Sequence, residues 1–245
     1  MIVLATAETL ASFGGKTEAA VRVGGLFRAY GADTNFLQFY HDTHGAVASV
    51  MDGTAVLSVP TNGLCDAEEW AWFLAAQPTV QCVRTNADIP ECAAAFPHQR
   101  NGVVLSASAG MEPIGQTVSL SPRAVYAVIQ EAFLQEAPAF EGFYLDVSHR
   151  MRHGCCRTVG VMADGIPAAT ALTVAETNEA AVIGGVATRE EYRCRGYARA
   201  CVTTLAVALQ QEGKTVLIAP RDARAEALYR NWGFVSAGTW TEVNR

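Results

Sequence analysis

Hydrophobic and polar positions along the 245-residue chain fall into two successive series with the same order of elements. In the first, Glu18 to Arg28 reads as a helix that breaks at Gly31-Ala32-Asp33. Residues 36–41 and 46–50 are rich in aromatic and β-branched side chains and read as strands. Asp52-Gly53 marks a hairpin turn, with a strand over Ala55 to Val59 after it. Asp66 can cap a helix whose apolar positions include Trp70, Phe73 and Leu74. A short strand is expected near Val80 to Val83. Residues 84–120 hold turn formers and one or two short elements, and are expected to connect the two series.

The second series is clearer. Ser121-Pro122 supplies a cap and a first-turn proline for a helix running to about Gln135. Strands fit Thr158 to Met162 and Ala168 to Val174, with Asp164-Gly165 as the turn between them. Ala181 to Ala187 is apolar without alternation, the mark of a buried strand. Gly196 to Gln211 reads as a helix with Val202, Leu205, Ala206 and Leu209 on one face, ended by Gly213. Val216 to Ile218 is a core strand, Ala223 to Asn231 a helix stopped by Gly233, and Phe234 to Thr241 a closing strand. Both series run strand, Asp-Gly hairpin, strand, helix, strand. That order suggests duplication of one α/β unit, with halves at 1–120 and 121–245.

Composition narrows the function classes. With 50% hydrophobic and 17% charged residues, the chain can bury one large core or two small ones. No apolar run reaches the roughly 20 residues that span a bilayer, so no membrane partner is expected. The start is apolar but has no basic region and soon meets Glu8, so a secretory signal is not expected. The seven cysteines are odd in number and show no C-x-x-C spacing, as for reduced thiols in the cytoplasm. Residues 1–120 carry 5 Lys+Arg against 11 Asp+Glu, so the whole net charge of -6 belongs to them; residues 121–245 carry 13 of each. A chain with no basic stripe is a poor nucleic-acid binder. An acidic half can steer a cationic amine toward a cleft, or simply aid solubility.

The segment Val186-Ala187-Thr188-Arg189-Glu190-Glu191-Tyr192-Arg193-Cys194-Arg195-Gly196-Tyr197-Ala198-Arg199 carries the chemistry. A core strand runs into a short loop that feeds directly into a helix. Gly196 removes the side chain where a backbone must approach a ligand closely. The first helical amides have no internal partner, and the helix dipole adds partial positive charge, so the loop can hold a diphosphate. Arg193, Arg195 and Arg199 add charge around it. Arg193-Cys194-Arg195-Gly196-Tyr197-Ala198 resembles the acyl-CoA signature of the GNAT N-acetyltransferase superfamily, Q/R-x-x-G-x-G/A. Ala227 to Phe234 resembles the same family's closing helix, A-x-x-L-Y-x-x-x-G-F. The resemblance covers residues 121–245 well and residues 1–120 only in outline.

That resemblance implies an α/β (α+β) fold with a mixed, mostly antiparallel central sheet flanked by helices, arranged as two tandem GNAT-like halves, the first degenerate. It implies transfer of an acetyl or short acyl group from acetyl-CoA to a primary amine on a small molecule or peptide, by direct attack in a ternary complex and without a metal. The backbone of Val186, Ala187 and Thr188 would pair with the pantetheine arm, and the amides of Cys194 through Ala198 would bind the diphosphate. Tyr229 matches the tyrosine that protonates or hydrogen-bonds the leaving thiolate. Many relatives are dimers, so a homodimer is compatible with it. The base departs from the family pattern: the place of one branch's catalytic glutamate falls on Val182, which takes no proton. Glu176 on the neighbouring strand is one candidate; Glu190 and Glu191 are expected to face solvent; loss of the proton to water is the alternative. The missing carboxylate also motivates a non-catalytic acyl-CoA sensor or scaffold. Asp146, Ser148, His149 and His153 lie close together, but they form neither an H-E-x-x-H metal site nor a G-x-S-x-G elbow.

Overall fold

The computed structural model describes residues 1–61 and 65–245. Two compact units emerge, and neither is contiguous in sequence: Met1–Val104 with Ala219–Glu226 and Ser236–Arg245, and Leu105–Ile218 with Ala227–Val235.

The first unit contains β1 (Val3–Leu4), α1 (Ala7–Ser12), α2 (Glu18–Tyr30), β2 (Leu37–His41), β3 (Val47–Met51), β4 (Thr54–Ser58), α3 (Ala67–Ala76) and β5 (Cys82–Thr85). Strands β1 to β4 pair antiparallel in order, and β4 pairs parallel with β5. Asp52 at φ 46° and Gly53 at φ 76° make the tight turn that joins β3 to β4. Thr17 starts α2 by accepting the Ala20 amide at 3.2 Å, and Asp66 starts α3 by accepting the Glu69 amide at 2.9 Å. Ala19 and Val23 of α2 pack on Leu37, Phe39, Val47 and Val56, whereas Trp70 and Leu74 of α3 pack on Ala48, Leu57 and Val83.

The second unit contains α4 (Pro122–Phe133), α5 (Phe140–Arg152), β7 (Thr158–Ala163), β8 (Ile166–Glu176), β9 (Ala180–Thr188), α6 (Tyr197–Gln211) and β10 (Thr215–Ile218). The pairing repeats that of the first unit: β7, β8 and β9 antiparallel, then β9 parallel with β10. Asp164 at φ 51° and Gly165 at φ 79° repeat the hairpin turn. The sheet of each unit is therefore mixed and mostly antiparallel, and helices flank it.

Two further strands complete the units. Strand β6 (His98–Ala107) begins in the first unit and ends in the second, where Leu105 and Ser106 pair with β10. After α7 (Ala223–Asn231), strand β11 (Phe234–Asn244) enters the first unit, where Thr241 to Asn244 pair with β5. Between residues 84 and 120 lie two elements, a short 3₁₀ helix Pro90–Ala94 and the ten-residue β6, which is longer than the short elements expected there. Its first half, His98 to Asn101, is polar and exposed, so it shows no strand pattern.

Two details of β9 position the site. Thr170 pairs with Ala187 and Leu172 with Gly184, so β9 holds one residue more than β8 across that interval. Gly185 sits in this bulge at φ 54°, a conformation glycine adopts without strain. Strand β10 ends at Ile218, opposite Ile183. Among the described residues, therefore, no strand pairs the β10 side of β9 from Gly184 to Thr188.

At the other end of β8, Glu176 pairs with Ala181 of β9 and is 1% exposed. Its carboxylate accepts from Lys214 Nζ at 2.6 Å and from Arg157 Nη2 at 2.8 Å, and Glu212 in turn accepts from Arg157 and Lys214. Those two cations hold the Glu212 carboxyl down at about 2.

Two outcomes follow for equilibrium unfolding in urea. Gly185→Val forces a left-handed β-branched residue and a Cβ only 2.1 Å from Leu172 Cδ2, which is expected to cost about 2 to 5 kcal/mol. Glu176→Gln strips a buried carboxylate from Lys214, which is expected to cost about 3 kcal/mol. The loss stays at the low end of such effects because Glu212 remains 3.1 Å from the ammonium.

Candidate functional site

The candidate site is built on the segment from the unpaired edge of β9 to the first turn of α6. A 3₁₀ turn, Glu190–Tyr192, carries the chain out of β9. Two side chains pin this turn to the sheet. Arg189 Nε donates to the Pro167 carbonyl at 2.8 Å and its guanidinium pairs with Glu131 of α4. Tyr192 is 6% exposed, and its hydroxyl donates to Asp164 Oδ2 at 3.0 Å, at the β7–β8 turn. The Arg195 guanidinium stacks over the Tyr192 ring at 5.2 Å. These anchors fix a loop that would otherwise have few contacts.

Beyond Tyr192 the backbone takes two left-handed residues, Cys194 at φ 61° and Gly196 at φ 80°. Gly196 is the N-cap of α6 and offers no side chain to accept the amides of the first turn. The Arg193 amide donates to the Glu190 carbonyl at 3.2 Å. Among the described residues, the amides from Cys194 through Arg199 make no hydrogen bond of good geometry, Arg195 closing only a weak turn. Alternating left-handed residues turn successive amides to one side, so this stretch is a concave cradle of donors at the positive end of a 15-residue helix. Arg193, Cys194, Arg195, Gly196 and Arg199 are exposed, and Tyr197 and Ala198 half-buried. Cys194 is exposed, unlike buried Cys92, Cys155, Cys156 and Cys201.

Val186, Ala187 and Thr188 lead into this cradle along the edge of β9 that β10 does not cover. The structure therefore brings together the strand edge, the loop amides and the arginines. A cavity of about 400 Å³ flanks α6 beside Arg199 and Thr203, walled by residues 108–114 and by Trp232 and Gly233. Tyr229 of α7 is 9% exposed and packs against Trp232 and Phe234, with ring centroids 5.3 and 6.0 Å apart.

Glu176 is not brought to this segment. It stands opposite Ala181, seven residues along β9 from Thr188, roughly 20 Å at the usual strand rise. Its two oxygens are held by Arg157 and Lys214. Val182 is 1% exposed, as a core strand residue should be. Glu190 and Glu191 lie exposed in the 3₁₀ turn. Asp146 is taken up by Arg150, whose guanidinium also donates to the Thr173 and Val174 carbonyls and so fastens α5 to β8. His149 and His153 stack at 4.1 Å, and His153 Nδ1 faces the His149 carbonyl at 2.8 Å.

The sequence reading missed the anchors of the loop. Tyr192 and Asp164 lie 28 residues apart in sequence, and nothing in either neighbourhood announces the pairing. The β9 bulge did have a signal: a Gly184-Gly185 doublet inside an otherwise apolar strand marks a bulge or a close backbone approach.

Comparison with known proteins bears on this geometry. No curated protein matches the chain. The chain is similar in structure to a GCN5-related N-acetyltransferase from Sphaerobacter thermophilus, with TM-score 0.61 and 17% identity, covering 100% of this chain and 95% of that one. A GCN5-related N-acetyltransferase from Kribbella flavida aligns with TM-score 0.61 and 18% identity over 92% and 93% of the two chains. A tandem GNAT protein from the clavulanic acid biosynthesis pathway aligns with TM-score 0.60 and 16% identity over 100% and 98%. At these identities the likeness establishes the fold alone. The model of the acetyltransferase (GNAT) family matches residues 123–234, the stretch that holds the cradle, the strand edge and Tyr229. The chain carries, over those residues, a domain of the GNAT acetyltransferase family.

Proposed function

We propose that residues 121–245 bind an acyl-CoA and transfer its acetyl or short acyl group to a primary amine on a small molecule or peptide, while residues 1–120 are a degenerate copy of the same unit. The observation that supports this best is the run of amides from Cys194 through Arg199 that make no hydrogen bond of good geometry. Exposed donors at a helix N-terminus can exchange their water for an acceptor with several oxygens, and a diphosphate supplies them. In this reading Arg193, Arg195 and Arg199 balance its charge. The amide and carbonyl groups of Val186, Ala187 and Thr188 extend the sheet to the pantetheine arm, whose own amides hydrogen-bond like a strand. The cavity beside Arg199 then lies where a ligand leaving the loop would continue.

The chemistry needs few side chains. The amine nitrogen attacks the thioester carbonyl carbon, its lone pair forming the new C–N bond while the carbonyl pair moves to oxygen. Backbone amides at the unpaired edge of β9 are suited to that oxyanion. When the carbon–oxygen double bond re-forms, the C–S bond breaks and the Tyr229 hydroxyl gives its proton to the sulfur, the tyrosinate then regaining a proton from water. The amine sheds its own proton to water, because the carboxylate at Glu176 is committed to Arg157 and Lys214. No metal enters this scheme, and the protein works in the cytoplasm, as a homodimer or alone.

The same commitment of Glu176 favours a second reading, a non-catalytic acyl-CoA sensor or scaffold. One pair of variants separates them. Gly196→Glu, which sets a carboxylate at the mouth of the cradle, is expected to abolish acetyl-CoA binding in calorimetry; retained affinity would overturn the diphosphate assignment. Tyr229→Phe is expected to lower kcat for an amine panel by about 10²-fold or more with acetyl-CoA affinity unchanged. Unchanged turnover in that variant would remove Tyr229 from the chemistry, and absence of turnover in the parent chain across the panel would favour the sensor.

A further inference from the structure

Within the first unit a second cavity of about 400 Å³ opens between the α1–α2 loop, the β2–β3 turn and the end of β4. Its size is that of a small-molecule pocket. Its wall is unusual for where it lies. Residues 1–120 carry a net charge of -6, yet among the described residues no Asp or Glu lines this cavity, and the titratable groups that do are Lys16 and His41. Glu8, beside the lining residue Thr9, is exposed and lies outside the wall, and the two other neighbouring carboxylates are engaged. Asp42 accepts from Trp70 Nε1 at 2.9 Å and from the His44 and Ala46 amides at 2.8 and 2.9 Å. Glu18, 2% exposed, is paired with Arg22 and Arg84; burial raises its carboxyl, but the two guanidiniums outweigh that and hold it below its ordinary value.

Three features face the cavity with unused hydrogen-bonding capacity. Among the described residues, the amides from Gly14 through Ala19 have no acceptor, and Gly14 to Thr17 line the wall at the N-terminus of the 13-residue α2. Ser58 is 4% exposed, lines the cavity, and its hydroxyl has no partner among the described residues. A hydroxyl that opens only into the cavity is placed to donate to a ligand oxygen there. His41 turns Nδ1 toward the Asp42 carbonyl at 3.2 Å, which leaves Nε2 unused. Phe13, Val47 and Pro60 supply apolar surface beside these donors.

We propose that this cavity is a binding site for a small organic anion, a phosphate or carboxylate head on a compact apolar body. The head sits at Gly14 to Thr17 with Lys16, Ser58 and His41 around it, and the body lies against Phe13, Val47 and Pro60. Donors without competing acids select an anion over the cationic amines that the acidic half would otherwise attract. The site is separate from the cradle at Arg193 to Ala198 and does not rest on the acyltransferase reading.

The test is calorimetry on the full chain carrying Gly196→Glu, which removes the cradle as a competing phosphate site. Three probes share one apolar body: phenyl phosphate, benzoate and benzyl alcohol. The expected result is one saturable site for an anionic probe and none of comparable affinity for the alcohol. The preferred anion identifies the head as phosphate or carboxylate. Lys16→Ala and Ser58→Ala should each weaken that binding by about tenfold or more, the loss of one hydrogen bond to a charged group. Lys16 is exposed and the Ser58 hydroxyl is unpartnered, so both variants should melt with their parent. A readout needing no cavity variant is the His41 ring resonance, which should shift as the anion is added. The proposal is overturned if no probe saturates at millimolar concentration, if benzyl alcohol binds as tightly as the anions, or if both variants keep the parent's affinity.

Discussion

Backbone amides at the start of α6 have nowhere to go inside the chain, and much of the second unit is arranged around that fact. A helix of this length leaves its first donors unpaired by geometry, and a side-chain cap would normally accept one of them. Here the cap is Gly196, left-handed at φ 80°, preceded by left-handed Cys194. An unpaired donor carries its cost only where water is excluded, so the cradle can exist because it is exposed. It keeps its shape because Arg189 and Tyr192 tie the preceding turn to Pro167, Glu131 and Asp164.

The strand that feeds the cradle is shaped by a second constraint. β9 is parallel with β10 for four residues and then continues paired with β8 alone, its extra residue absorbed at Gly185. Parallel pairing holds the first half of β9 in the core, and the bulge turns the second half to an edge whose amides and carbonyls can take an extended ligand. Glu176, Arg157, Lys214 and Glu212 close the opposite end of this layer. Those charges are structural, and they leave the acyl-transfer reading dependent on backbone donors, arginines and one tyrosine.

Most elements of both units were legible because local rules agreed with tertiary demands. Asp52-Gly53 and Asp164-Gly165 became left-handed hairpin turns, Asp66 and Ser121 became caps, and Ala223 to Asn231 became α7 with those bounds. The turn at Gly196 was legible too, since a glycine stands there between a buried strand and a long apolar-faced helix. What escaped was non-local. Strand β6 is polar along His98 to Asn101, and its pairing is decided by β10, more than a hundred residues away. β11 joins β5 across a still longer gap. Glu176 looked available because a sequence cannot show that Arg157 and Lys214 converge on it. The cavity of the first unit is assembled from three separate turns, so no single stretch announces it.

The central claim is that the amides from Cys194 to Ala198 hold the diphosphate of an acyl-CoA. The most direct measurement is the melting temperature of the purified chain as acetyl-CoA is added, with dephospho-CoA and ATP as controls. The account predicts a saturable rise specific to the CoA form, worth about 2.7 kcal/mol when ligand stands near 100-fold over its dissociation constant. A flat melting temperature at millimolar acetyl-CoA would contradict it.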